Sequence, residues 1–233
     1  MFATSANLSG YKAYEINTMN LTKITPYLLA TAAAACVLHA DAPATSDSSA
    51  GTLGQRYGEL SFTDQNINHV SSDATSLDFG VNYPIAKHID LGGNYTYLWF
   101  HNNYHQRSSV LDTAATVYTT YAGIKPFVSL NLGYEWDRFT ETGFYPYHAN
   151  YGVWGLGAGV EIPVKPTVAI TPFISYQDDF QESARSAQAY DFGVEVNYWF
   201  QKAWAVFADG GYQAVLHSHY DAWVWTIGLR QKF

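Results

Sequence analysis

From about residue 55 to the last residue, apolar and polar positions alternate with a period of two. In "SLDFGVNYP", Leu77, Phe79, Val81 and Tyr83 share one face while Ser76, Asp78, Gly80 and Asn82 share the other. In "VSLNLGYEWD", Val128, Leu130, Leu132, Tyr134 and Trp136 oppose Ser129, Asn131, Gly133, Glu135 and Asp137. In "YDFGVEVNYWF", Tyr190, Phe192, Val194, Val196 and Tyr198 oppose Asp191, Gly193, Glu195 and Asn197. Successive side chains of a strand point to opposite faces, so each stretch predicts a strand that is apolar on one side only. Ten such stretches occur, at about 55–65, 73–84, 88–100, 110–122, 127–139, 150–162, 167–179, 188–200, 203–215 and 221–233. Each has about 11 to 13 residues, roughly 40 Å at 3.3 Å per residue, and a tilt near 45° turns that length into a bilayer-spanning height.

The connections alternate in length. Short ones carry Pro, Lys or Gly: "PIAKH" at 84–88, "GIKP" at 123–126, "PVKP" at 163–166 and "QKA" at 201–203. Longer ones lie between them, at 66–72, 101–109, 140–149, 180–187 and 216–220. Short turns at one end and long loops at the other predict an antiparallel up-and-down barrel with both strand termini at the short-turn end. Eight strands is the alternative if the seventh, which contains Pro172, fails to pair.

Composition settles which side of the sheet faces what. Aromatic residues make up 17% and charged residues only 14%, against about 25% charged in an ordinary soluble domain. That is a membrane or interface composition, yet no run of about 18 apolar residues occurs to form a spanning helix. The remaining spanning structure is a closed β-barrel, since only helices and closed barrels satisfy every backbone polar group in lipid. The apolar face ends in Tyr, Trp or Phe on many strands, which reads as lipid-facing with aromatic girdles. A soluble β-sandwich or lipocalin-like barrel would instead turn that face inward.

Upstream, "MNLTKITPYLLATAAAACVLHADA" (19–42) has one Lys, an apolar core of about a dozen residues and an Ala40-Asp41-Ala42 cleavage site, the parts of a secretory signal. Residues 1–18 do not fit the start of such a signal, so translation is expected to begin at Met19; an extended signal is the other reading. Residues 1–42 are therefore assigned to the signal, 43–54 to a linker and 55–233 to the barrel. Cys36, the single cysteine, falls in the apolar core of the signal, and the exported chain then has neither a disulfide framework nor a thiol nucleophile. The formal net charge of −8 survives signal removal and makes nucleic acid an unsuitable partner.

The last stretch, "VWTIGLRQKF", places Trp225, Ile227, Leu229 and Phe233 on the lipid side and Thr226, Gly228, Arg230 and Lys232 on the lumen side. A terminal Phe on such a strand resembles the C-terminal signature of bacterial outer-membrane β-barrel proteins. "IGLRQKF" is similar to the ends of small outer-membrane barrels and autotransporter translocators, although Gln231 replaces the aromatic residue usual at that position. The resemblance implies an all-β, ten-stranded transmembrane barrel in a Gram-negative-type outer membrane. Its short turns would be periplasmic, and its partners would be membrane lipid and the barrel-assembly machinery, which reads Phe233.

Three features could carry chemistry. Inward-facing glycines are expected at Gly58, Gly80, Gly92, Gly133, Gly157, Gly193, Gly211 and Gly228; they relieve strain in a small barrel and leave space in the lumen. The same registration points Glu59, Asp78, Asp90, Asp112, Glu135, Asp137, Glu161, Asp191, Glu195 and Asp209 inward, against only Arg230 and Lys232. Asp112, Glu135, Asp137, Asp191 and Asp209 fall toward the outer mouth. Carboxylate rings select cations, so these residues, with Arg230 expected to pair with Glu59 across the closing seam, are the lumen candidates. Third, His217 and His219 beside Asp221, and His101 with His105, have residue types that suit Zn²⁺ or Cu²⁺, though loop spacing fixes no geometry.

An enzyme is the least favoured reading, and no cofactor is expected. Omptin proteases share the ten-stranded form and pair two acidic residues with an Asp-x-His, but "QDDF" at 177–180 faces only "HSHYD", in the wrong order. Two functions remain: a narrow channel for small cations or polar solutes, and a non-transporting structural or adhesive barrel. The oligomeric state is not legible.

Overall fold

The period-two stretches form strands because their Val, Ile, Tyr, Phe, Trp and Thr residues fit a pleated surface with one face covered. The computed structural model describes residues 50–68, 73–101, 106–139, 147–180, 188–216 and 221–233. Within them lie β1 (Tyr57–Ile67), β2 (Ala74–Ala86), β3 (Ile89–Phe100), β4 (Arg107–Tyr118) and β5 (Lys125–Phe139). The second half comprises β6 (Tyr147–Lys165), β7 (Val168–Asp179), β8 (Ala189–Trp199), β9 (Trp204–Val215) and β10 (Ala222–Lys232). Each strand pairs antiparallel with its chain neighbours, and β1 pairs with β10 to close the barrel.

The closing seam runs from Tyr57↔Lys232 to Ile67↔Ala222. Beyond it the Phe233 N–H still donates to the Arg56 carbonyl at 3.4 Å. The last strand is thus used along its whole length, because a shorter one would leave β1 with an unpaired edge. The strand containing Pro172 pairs on both sides, so all ten strands belong to the barrel. On the β6 side the register passes from Gly159↔Phe173 to Ile162↔Ile170, and Pro172 falls in that interval, where its missing N–H interrupts the ladder least.

The fourth and sixth strands depart most from the sequence expectation: β6 runs Tyr147–Lys165 against an expected 150–162, and β4 is displaced at both ends. The fourth strand was expected at 110–122, but β4 runs Arg107–Tyr118. The β-branched and aromatic run after it turns back through an isolated Tyr121↔Ile124 bridge, with Ala122 and Gly123 both at positive φ (51° and 85°). At its other end the polar Arg107-Ser108-Ser109 looks like loop in the sequence. Yet Ser108 is buried, its hydroxyl donating to Glu135 at 2.6 Å.

The two faces of the wall are opposite in character. Outside, Phe79, Leu130, Val194 and Ile227 are 44–64% exposed. Inside, Ser61, Thr63, Asp90, Glu161, Asn197 and Arg230 are buried. An apolar exterior around a polar interior is the distribution of a barrel whose outer face meets lipid. At the loop end the exterior carries interlocked rings: Trp154 and Tyr176 lie 5.6 Å apart, Tyr176 and Tyr190 5.0 Å, Tyr212 and Trp223 5.1 Å. Gly58, expected inward, shares the outward parity of Leu60 and Phe62; it was assigned to the same face as its neighbour Glu59, which a strand does not allow.

Candidate functional site

The lumen is built in three tiers. The upper tier, toward the loop end, is a cavity of about 530 Å³ lined by Asp78, Thr96, Asp112, Glu135, Tyr151 and Thr226 among others, and no Lys or Arg is among its described lining residues. Its carboxylates are held by neutral donors. Asp78 accepts from the Thr96 hydroxyl at 2.6 Å, from Ser76 at 3.1 Å and from Thr63 at 3.2 Å. Nearer the rim, Asp137 accepts from the Tyr151 hydroxyl at 3.1 Å. Asp191 accepts from Ser175 and Gln213, each at 3.0 Å. Of the residues expected at the outer mouth, Glu135, Asp137 and Asp191 stand in the loop-side part of their strands, whereas Asp112 and Asp209 stand at mid-strand.

The middle tier is a lock around Arg230. Its Nη1 and Nη2 donate to the two carboxylate oxygens of Glu195, both at 2.6 Å, and its Nε donates to Glu59 at 2.8 Å. Nη1 also donates to the Asn197 carboxamide oxygen at 3.1 Å. The guanidinium lies over the Phe207 ring at 3.8 Å. Four strands, β1, β8, β9 and β10, thereby meet in the lumen, and bidentate charge-assisted bonds fix the planar group in one orientation.

Inward glycines open room for this tier, but they do not leave it empty. A Cβ at Gly228 would stand 2.5 Å from the Phe207 ring, one at Gly193 2.5 Å from Phe173, and one at Gly159 2.6 Å from Phe127. The space expected in the lumen is taken by phenylalanine rings from neighbouring strands.

The lower tier lies at the short-turn end and was not foreseen. The stretch 43–54 was assigned to a linker, yet from Ala50 to Gly54 it sits inside the barrel, held by side chains that touch its main chain. Glu161 accepts from Thr52 N at 2.5 Å and Leu53 N at 3.1 Å. Asp90 accepts from Gly54 N at 2.8 Å, and Lys125 Nζ donates to the Leu53 carbonyl at 2.8 Å. The Ala50 carbonyl accepts from Asn197 Nδ2 at 3.0 Å and Trp199 Nε1 at 2.7 Å. Glu161, Asn197 and Asp90 are each 1% exposed. Lys125 is thus a third inward cation beside Arg230 and Lys232, lying 3.5 Å from Glu161. The sequence hid it among turn residues. The one legible trace of the segment is its glycine pair: a Cβ at Gly51 would overlap the Glu161 carboxylate, and Gly54 has φ +82°, a conformation that glycine adopts without strain.

His217, His219 and His105 lie outside the described residues. Among the described residues no group of three or more His, Cys, Asp or Glu could hold a metal ion. His101 Nε2 is within 3.1 Å of the Thr75 hydroxyl. Of the acidic pair at 177–180, Asp178 accepts from Tyr176 and Gln188, and Asp221 accepts from the Tyr212 hydroxyl and Val215 N.

No family model matches the chain, and no curated protein does. Among solved structures, the translocator domain of autotransporter NalP from Neisseria meningitidis is similar at 8% identity and a TM-score of 0.48, covering 91% of this chain and 96% of that one. Neisserial surface protein A is similar at 12% identity and a TM-score of 0.42, covering 76% and 96%. The KdgM porin is similar at 10% identity and a TM-score of 0.42, covering 75% and 99%. The closed register and the inverted distribution of polarity establish the class on their own: the chain is a ten-stranded antiparallel transmembrane β-barrel.

Proposed function

We propose that the protein is an outer-membrane β-barrel, exported by the signal at 19–42, that holds a narrow passage for small cations in its closed state. The observation that carries this is the vertical order of charge. An upper cavity lined by Asp78, Asp112 and Glu135, with no cation among its described lining residues, stands above one cation, Arg230, held between Glu59 and Glu195. A cavity of about 530 Å³ is about one Debye length across at physiological salt (~8 Å), so salt screens its interior field weakly. Carboxylates there concentrate cations and repel anions. A buried ion pair is roughly break-even with an apolar filling, so the lock is not needed for stability alone. A guanidinium that can exchange partners suits a gate.

The alternation of short turns and long loops supports an orientation with the short turns in the periplasm and the cavity on the outer side. Planar-bilayer recording tests the proposal. Native protein should show rare cation-selective openings, and Arg230→Gln should make them more frequent. Silence from folded native and Arg230→Gln barrels alike would rule out a passage. The sealing of the short-turn end by residues 50–54 favours a second reading, a non-transporting barrel that acts through its long loops. In that case loop deletion alters surface contact while every lumen variant stays silent.

A further inference from the structure

We infer that Ala50–Gly54 is a tethered stopper, an intramolecular peptide ligand seated in a main-chain-reading site at the short-turn mouth. We further infer that its release is coupled to opening of the Arg230 lock through Asn197. The inference rests on the passage reading and adds its regulation.

The site is built to receive backbone. Two consecutive N–H groups, of Thr52 and Leu53, converge on one Glu161 carboxylate, an anion nest in reverse, with the anion supplied by the barrel. Asp90 takes the next N–H, from Gly54. Cationic and neutral donors, Lys125, Asn197 and Trp199, take the two carbonyls of Leu53 and Ala50. The receiving side chains come from β3, β5, β6 and β8, an arc of the mouth rather than a single strand. None of these bonds requires a particular side chain on the segment, and only the Thr52 hydroxyl, which donates to Glu161 at 3.2 Å, adds a side-chain bond of its own. Shape is imposed instead at Gly51, pressed against Glu161, and at Gly54, with its positive φ. A segment bound through its main chain in a charged cradle can leave without unfolding the wall around it, because its removal breaks no strand ladder.

Asn197 joins the two closures. Its carboxamide oxygen accepts from Arg230 Nη1 at 3.1 Å, and its Nδ2 donates to the Ala50 carbonyl at 3.0 Å. The residue is 1% exposed, so neither end can turn to water while the other stays paired. If the stopper withdraws, Nδ2 loses its partner, and the carboxamide can swing and release Arg230 Nη1. If Arg230 leaves first, the grip on Ala50 slackens in the same way. A buried group left half-satisfied is costly, so the two closures favour being shut together or open together.

The test uses the exported chain from Pro43, which lacks cysteine, with Leu53→Cys, whose thiol reports docking while the main chain at position 53 stays intact. Labelling by a membrane-impermeant maleimide, added to the short-turn side of proteoliposomes, and bilayer open probability are measured on the same preparations. Folding is confirmed by the altered gel mobility of unheated barrels. With native lumen residues, labelling should be slow and openings rare. Glu161→Gln and Asn197→Ala should each speed labelling about tenfold or more and raise open probability. Arg230→Gln, which leaves every stopper contact in place except through Asn197, should also speed labelling.

Equally slow labelling in all variants would overturn the stopper. Fast labelling without a rise in open probability, where Arg230→Gln does raise it, would overturn its role in gating. Labelling that ignores Arg230→Gln would overturn the coupling. Silence from every variant, Arg230→Gln included, is a separate failure and removes the passage reading underneath.

Discussion

Replacing Arg230 with Met should destabilise the barrel far more than removing the whole charged lock. The guanidinium makes two bonds of 2.6 Å to Glu195 and one of 2.8 Å to Glu59. Its side chain is 6% exposed, and those of Glu59 and Glu195 are 22% and 20% exposed. Without Arg230, two carboxylates face each other across the lumen with no cation between them. Removing one partner of a buried ion pair costs about 3–5 kcal/mol. Both carboxylates keep some contact with water, so the loss is expected near the lower end, about 3 kcal/mol. The triple change Glu59→Gln, Glu195→Gln and Arg230→Met leaves no charge to compensate. It should fall within about 1 kcal/mol of native, because a buried pair and a neutral filling of similar volume are nearly equivalent. Urea unfolding in lipid vesicles, followed by tryptophan emission, measures both. A loss below about 1 kcal/mol for Arg230→Met, or a triple variant as unstable as the single one, would refute the lock as the source of the penalty.

Two further outcomes are expected. Val194→Arg places a charge on the lipid face at the middle of β8, where Val194 is 44% exposed; it should cost about 2–4 kcal/mol in vesicle refolding. A cost near zero would mean that this face does not meet hydrocarbon. Phe233→Ser should lower the amount of assembled barrel in cells severalfold while leaving the refolded protein's urea midpoint unchanged, since Phe233 is 71% exposed. Unchanged cellular levels would remove the assembly role assigned to that residue.

The wall was legible because alternation is a local property. Ile227 and Arg230 fall on opposite faces by parity alone, and the seam partners Glu59 and Arg230 share the inward parity on the first and last strands. The contents of the lumen were less legible. Gly193 and Gly228 signal a missing side chain, but not that Phe173 and Phe207 from adjacent strands fill the gap, because that depends on cross-strand register. Lys125 resembles an ordinary turn lysine until its register partner Glu161 is known. The stopper was least legible of all. Main-chain recognition leaves almost no side-chain pattern, and "AGTLG" differs from a flexible linker only in where its two glycines fall. Glu161, Asp90 and Asn197 give no hint, as isolated inward polar residues, that they converge on one short segment.

The central claim is that acidic groups above an Arg230 lock make a closed cation passage, and reversal potential across a salt gradient tests it most directly. The recordings compare native protein, Arg230→Gln, and Arg230→Gln combined with Asp112→Asn and Glu135→Gln. Rare cation-selective openings in the native barrel, more frequent ones in Arg230→Gln, and a reversal potential that moves toward zero when the two acids are neutralised are the predicted result. Anion selectivity, or a reversal potential indifferent to Asp112 and Glu135, would contradict it.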